Sequence, residues 1–135
     1  MRLGVTLGIG VDVVHTPRFQ RILARNDDYV ARFMARILHP SERPRFVESP
    51  PAQQINQLSG AWAAKEALFK TLDPVDQKRF QFNQWYRHYN PQGKPFIRND
   101  HYQHKDEEFL LSVSHDGEVL VANVLRQKNV DTSSL

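Results

Sequence analysis

Trp62-Ala63-Ala64-Lys65-Glu66-Ala67-Leu68-Phe69-Lys70 is the stretch whose reading decides the fold. It forms the middle of a helix expected at about residues 52 to 72, bounded by Pro50-Pro51 before it and Asp73-Pro74 after it. Wound at 3.6 residues per turn, Ile55, Leu58, Trp62, Phe69 and Leu72 fall on one apolar stripe, with Lys65 in its middle. Glu66 sits at the edge of the stripe, one turn before Lys70, so a carboxylate and an ammonium flank the face that packs inward. On this helix alone a second reading stays open, in which Lys65 lays its methylenes on apolar neighbours and Glu66 and Lys70 form an ordinary helix pair.

The chain has 135 residues, enough for one domain with a core of its own. It contains no cysteine, which excludes disulfides, thiolate metal sites and cysteine nucleophiles; any metal must be held by oxygen or imidazole. A net charge of +3 favours acidic partners but is too mild to argue for nucleic acid. The apolar runs are too short to span a membrane, and no signal-peptide or transit-like segment is legible before the first strand.

Residues 3 to 14, LGVTLGIGVDVV, alternate with period two. Val5, Leu7, Ile9 and Val11 face one way; Gly4, Thr6, Gly8, Gly10 and Asp12 face the other. Glycine weakens a strand, so Gly8 and Gly10 imply that a backbone or ligand approaches on the side where Asp12 is the next side chain. Asp12 is therefore a candidate metal ligand, the alternative being an aspartate that prepares a turn. Thr16-Pro17 starts a helix, with Thr16 as cap and Phe19, Ile22 and Leu23 inward. Arg18, Ile22 and Arg25 share a face at i, i+4, i+7, which suits an acidic amphipathic partner helix as well as a solvated basic face.

Asn26-Asp27-Asp28 caps a second helix through Leu38, and Ser41 caps a short segment toward Val47. Arg79 to Tyr86, RFQFNQWY, is expected as a strand, followed by the Asn90-Pro91-Gln92-Gly93 turn and a strand over residues 94 to 98. His101, His104, Asp106 and Glu107 lack a regular ligand frame and are expected in a surface loop. Phe109 to His115 and Glu118 to Leu125, separated by Asp116-Gly117, read as a hairpin with a type I′ turn that leaves His115 at its mouth. Residues 1 to 125 make the single domain, and 126 to 135 are expected as a frayed polar tail.

Three segments in register, GIGVDVV, WAAKEALFK and SVSHDGE, with FMARILHPSE and NPQGKPFI between them, resemble the 4′-phosphopantetheinyl transferases of the short holo-acyl-carrier-protein synthase branch. The resemblance covers about residues 3 to 125. It implies an α+β fold in which an antiparallel sheet packs on a long central helix, equivalent to half of the two-lobed transferases. It also implies an enzyme of fatty acid biosynthesis that moves 4′-phosphopantetheine from coenzyme A to a serine of an apo acyl carrier protein, releasing adenosine 3′,5′-bisphosphate. By the same resemblance Asp12 and Glu66 are the ligands of Mg²⁺, or of Mn²⁺, and form the catalytic set with Lys70, which lies near the pyrophosphate. Lys65, Lys70 and His115 match positions that contact coenzyme A, and Arg18, Ile22 and Arg25 match a carrier-docking helix. Two candidates for the base remain, Glu66 itself or a metal-bound water; the water is preferred because a carboxylate on a cation is a poor base.

Bacterial enzymes of this branch and length are trimers with sites between subunits, so the resemblance implies a homotrimer, with no membrane and no nucleic acid as partner. Four departures from the bacterial pattern stand out: His15 where an acidic residue is usual, Ala61 for an arginine, Leu110 for a histidine, and Asp73 to Gln77 in place of a glycine-rich loop. Lys78 and Arg79 are the proposed substitutes at the nucleotide end. These departures resemble fungal mitochondrial members and give a lean to the mitochondrial matrix over the cytoplasm. The rival readings are a basic nucleic-acid-binding module, which leaves Asp12 and Glu66 without a purpose, and a non-catalytic carrier-binding protein.

Overall fold

A computed structural model describes residues 1–134. The chain runs β1 (Arg2–His15), α1 (Thr16–Leu23), α2 (Asp27–Ile37), a 3₁₀ turn (Pro40–Glu42), α3 (Arg43–Glu48), α4 (Pro51–Phe69), α5 (Pro74–Arg79), a 3₁₀ turn (Phe82–Gln84), β2 (Tyr86–Tyr89), β3 (Pro95–Arg98), β4 (Glu107–Asp116) and β5 (Val119–Asp131). The strands form one antiparallel sheet in the order β1-β5-β4-β3-β2. The fold is α+β, with α4 lying across the inner face of β1 and β5. Among the described residues no helix is long and apolar enough to cross a membrane.

Helix α4 carries more than the one apolar stripe expected of it. Leu58, Gly60, Ala61, Ala63, Ala64, Lys65, Ala67 and Leu68 are all buried, while Ile55, Trp62 and Phe69 lie at the margin of the core. Small residues on several sides let the backbone of α4 approach its neighbours closely. Against β1 the approach is closest: a Cβ on Gly10 would meet the Ala67 carbonyl oxygen and Ala67 carbonyl carbon, and one on Gly8 would lie 3.2 Å from the Thr71 oxygen. The glycine-faced strand is thus explained by a packed helix backbone.

One register shift, between Thr6 and Gly8, alters the expected facing of β1. Gly8, Gly10 and Asp12 pair with Arg126, Val124 and Ala122 on the inner face, whereas Gly4 and Thr6 pair with Asn129 and Gln127 on the outer one. Ile9, Val11 and Val13 face outward and are 47% to 70% exposed.

Three further expectations are corrected. The RFQFNQWY segment is not a strand: Arg79 ends α5, Phe82 to Gln84 make a 3₁₀ turn, and pairing begins at Tyr86. Its aromatics form a cluster instead, Phe80 against Phe69 and Phe82, Phe82 against Trp62, and Trp85 against Phe109 and Tyr102. The tail expected from residue 126 is strand through Asp131, because its residues pair with the first five of β1 and because Arg126 is buried; Leu135 lies outside the described residues. The Arg126 guanidinium donates to both oxygens of Glu107, to Asp73 and to the Thr71 carbonyl, tying the end of α4 to the sheet. Glu107 therefore begins β4 and is no loop residue.

The hairpin also differs in detail. Asp116 pairs with Val119, so the two turn residues are Gly117 and Glu118. Gly117 alone has positive φ, at 57°, the sign pattern of a type II′ turn; a type I′ turn needs two such residues. The helix starts differ as well: the Thr16 hydroxyl bonds the Glu118 carbonyl, and His39, not Ser41, caps the Pro40–Glu42 turn. Asn26 caps α2 as expected, accepting from the Tyr29 N–H at 2.8 Å.

Candidate active site

Asp12 projects from the inner face of β1 at the point where Gly10 lets α4 come nearest. One turn of α4 flanking Ala67 brings Glu66 and Lys70 to the same seam. The Lys70 ammonium donates to the Val11 carbonyl at 2.7 Å and to Asp12 Oδ1 at 3.4 Å. Asp12 Oδ2 is buried and makes no hydrogen bond. Such an oxygen is costly unless something electropositive meets it. Burial and the neighbouring Asp12 charge hold the Glu66 carboxyl above its ordinary range, with Lys70 and Arg18 pulling the other way. Two carboxylates that repel each other, one with an orphaned buried oxygen, suit a hard divalent cation that keeps open positions for water and substrate.

Only part of the expected set meets here. Asp12, Glu66 and Lys70 come together, and Arg18 at the start of α1 is close enough to act on Glu66. His15 points to the opposite face and pairs with Glu118 at 3.4 Å, and among the described residues no cluster of three metal-ligating side chains occurs. Lys65 is a correction. Its side chain is 0% exposed, and the ammonium is bound to Glu42 Oε1 at 2.7 Å and the Ile37 carbonyl at 2.6 Å. It does not snorkel to water, and enclosed there it presents no free ammonium to a ligand, because α4 turns it toward the 3₁₀ turn and away from β1. Glu42 comes from the HPSE stretch, three residues after the His39 cap, a position from which a glutamate can also face the core.

His115 stands apart as well. It shares a sheet row with Leu120 and Val14, two strands and two residues from Asp12, so the Cα atoms are about 12 Å apart by strand geometry. It lines a hollow with Asn56 and Gly60 of α4, with Arg87 and with Tyr89. Lys78 and Arg79 are exposed at the end of α5. On the docking face, the Arg18 guanidinium lies over the Trp62 ring at 4.9 Å, Ile22 packs against the core, and Arg25, beyond the end of α1, lies over Tyr29 at 4.1 Å. The two arginines keep their charge exposed above aromatic supports that hold them in place.

Residues 8–124 match the family model of the 4′-phosphopantetheinyl transferase superfamily. The chain belongs to that superfamily. Within it the transferase is of holo-acyl-carrier-protein synthase type. It is 36% identical to the holo-[acyl-carrier-protein] synthase of Geobacillus kaustophilus over 90% of this chain and 89% of that one. It is 33% identical to the mitochondrial holo-[acyl-carrier-protein] synthase of Eremothecium gossypii over 87% and 77%. Among solved structures, the holo-(acyl-carrier-protein) synthase of Bacillus anthracis in complex with coenzyme A (3′,5′-ADP) superposes with a TM-score of 0.72 at 26% identity, covering 91% of this chain and 97% of that one. The seam between β1 and α4 falls inside the matched residues.

Proposed function

We propose that this transferase moves 4′-phosphopantetheine from coenzyme A to a serine hydroxyl of an apo acyl carrier protein in a Mg²⁺-dependent reaction that releases adenosine 3′,5′-bisphosphate. The observation that carries the reading is the seam itself, with Asp12, Glu66 and Lys70 gathered around a buried, unsatisfied carboxylate oxygen. The serine oxygen attacks the pantetheine-side phosphorus of the pyrophosphate, the bridging P–O bond breaks, and the adenosine bisphosphate leaves with the bond's electron pair. Asp12 and Glu66 would hold Mg²⁺ or Mn²⁺, which supplies charge neutralisation and alignment of pyrophosphate oxygens when bound. Lys70 is about half exposed; with two of its three N–H groups given to Val11 and Asp12, one remains for a phosphate oxygen on which charge builds. The serine proton passes to water beside Glu66, at a site open to solvent on the Lys70 side.

Arg18, Ile22 and Arg25 receive an acidic helix of the carrier, a reading supported by the closeness of Arg18 to Glu66. A homotrimer is supported by the outward row of Ile9, Val11 and Val13 beside Leu125 and Val121, an apolar sheet face larger than a solvated edge requires. The separation of His115 from Asp12 fits the same arrangement, since a coenzyme A that touches both types of residue can take them from neighbouring subunits. The name of the Eremothecium gossypii relative supports a mitochondrial location. Chromatography of nucleotides after incubation with coenzyme A, apo carrier and Mg²⁺ tests the reading. One adenosine 3′,5′-bisphosphate per modified carrier, and none with EDTA, is expected; carrier modification at full rate in EDTA would overturn it.

A further inference from the structure

Lys65 and Glu66 are adjacent on α4 yet serve different neighbours. Glu66 faces the seam with β1, while the Lys65 ammonium is enclosed between the Ile37 carbonyl and Glu42. Glu42 is a junction. Its Oε1 accepts from Lys65 and, at 3.0 Å, from the His39 N–H; its Oε2 faces the Arg87 N–H at 3.4 Å and Arg87 Nε at 3.6 Å. The Lys65–Glu42 pair thus ties the end of α2, the 3₁₀ turn, α4 and β2 together.

Apart from Leu58 and Leu68, the buried apolar surface of α4 consists of Gly60, Ala61, Ala63, Ala64 and Ala67, and apolar contact is non-directional, so it fixes the roll of the helix less sharply than a directional bond does. Charge-assisted hydrogen bonds are directional, and fixing an arrangement is the best-attested use of a buried ion pair. We propose that Lys65 is a positioning residue: its bond to Glu42 sets the roll of α4 and so the aim of Glu66 and Lys70 at Asp12, without touching coenzyme A. A carboxylate about 6 Å from a helix axis moves about 1 Å for a roll of about 10°, and a misplacement of that size costs about a hundredfold in rate. The proposal rests on the metal-dependent transfer proposed above.

The test uses the native protein, Lys65→Met and Glu42→Gln, the second keeping shape and acceptor oxygen should the first fail to fold. Mn²⁺ affinity by electron paramagnetic resonance is measured beside kcat, the KM for coenzyme A and the melting temperature. Expected are Mn²⁺ binding weakened several-fold and kcat lowered tenfold to a hundredfold in both variants, with the KM for coenzyme A within about twofold of native. A raised KM at unchanged kcat would make Lys65 a substrate contact. A lowered melting temperature with Mn²⁺ affinity and kcat unchanged would make it a stability residue only. Equal Mn²⁺ affinity in all three proteins, or none in the native one, overturns the proposal; absent transfer with intact Mn²⁺ binding in the native protein would fault the reaction and leave the affinity comparison to decide.

Discussion

Replacing Gly10 with alanine puts a methyl group where no atom fits. The added Cβ would overlap the Ala67 carbonyl oxygen, lie 2.9 Å from the carbonyl carbon and 3.2 Å from Thr71 Cγ2, whereas real Cβ contacts essentially never fall below 3.0 Å. Both sides of the clash are backbone, so β1 and α4 must part by about 1 Å, for which overpacking costs of about 3 kcal/mol or more apply. For a domain of this size that is a fall in melting temperature of roughly 10 °C. The same displacement separates Asp12 from Glu66 and Lys70, and about 1 Å at a catalytic seam lowers turnover roughly a hundredfold. Gly8→Ala, facing the Thr71 oxygen at 3.2 Å, should be milder, and Gly4→Ala, facing the flexible end of Gln127, nearly silent. Thermal melts and carrier-modification rates on the three variants check the ranking. A Gly10→Ala protein that melts and turns over like the native one would refute the close approach of β1 and α4 and the site built on it.

Glu66→Gln should abolish transfer at an unchanged or slightly higher melting temperature, since it removes a carboxylate that burial and Asp12 already disfavour; turnover near normal would remove Glu66 from the metal site. Reversing Arg18 and Arg25 to Glu should raise the KM for carrier at least tenfold while sparing the affinity for coenzyme A, and an unchanged carrier KM would move the docking face elsewhere. Burial pushes the Glu107 carboxyl up, but hydrogen bonds from Arg126 and Tyr102 outweigh it and hold it below the ordinary range. A depressed folded-state pKa gives stability that is present above the unfolded value and lost as pH falls through the folded one. Acid melts of the native protein should therefore show a loss of stability below about pH 4 that is smaller in Glu107→Gln. That variant should itself lose about 3 kcal/mol at neutral pH, because buried Arg126 keeps only the solvent-exposed Asp73 as charge partner.

Much of this arrangement was legible along the chain because it is written in local chemistry. Pro50-Pro51 starts α4, Asn26 caps α2, Asp116-Gly117 marks the hairpin, and Gly8 and Gly10 announce a close approach to β1. The candidate site is legible only through the resemblance, which implies Asp12, Glu66 and Lys70; residue by residue, an aspartate before a turn and an ordinary helix pair stay open. What stayed hidden depends on contacts distant in sequence. Nothing local marks the shift at Leu7 that turns Gly4 and Thr6 outward, since it is set by pairing with β5. Nothing near Lys65 in the sequence reveals its burial, because its partner Glu42 is 23 residues away. Arg126 looked like the start of a tail because Glu107 and Asp73, which bury it, come from other segments. The aromatic run after Arg79 alternates like a strand, yet its rings pack around Trp62 and Trp85.

Intact mass of an apo acyl carrier protein, after incubation with this transferase, coenzyme A and Mg²⁺ and in parallel with EDTA, tests the central claim most directly. A gain equal to one 4′-phosphopantetheine that EDTA prevents is predicted. No gain with several apo carriers, or the same gain in EDTA, would contradict it.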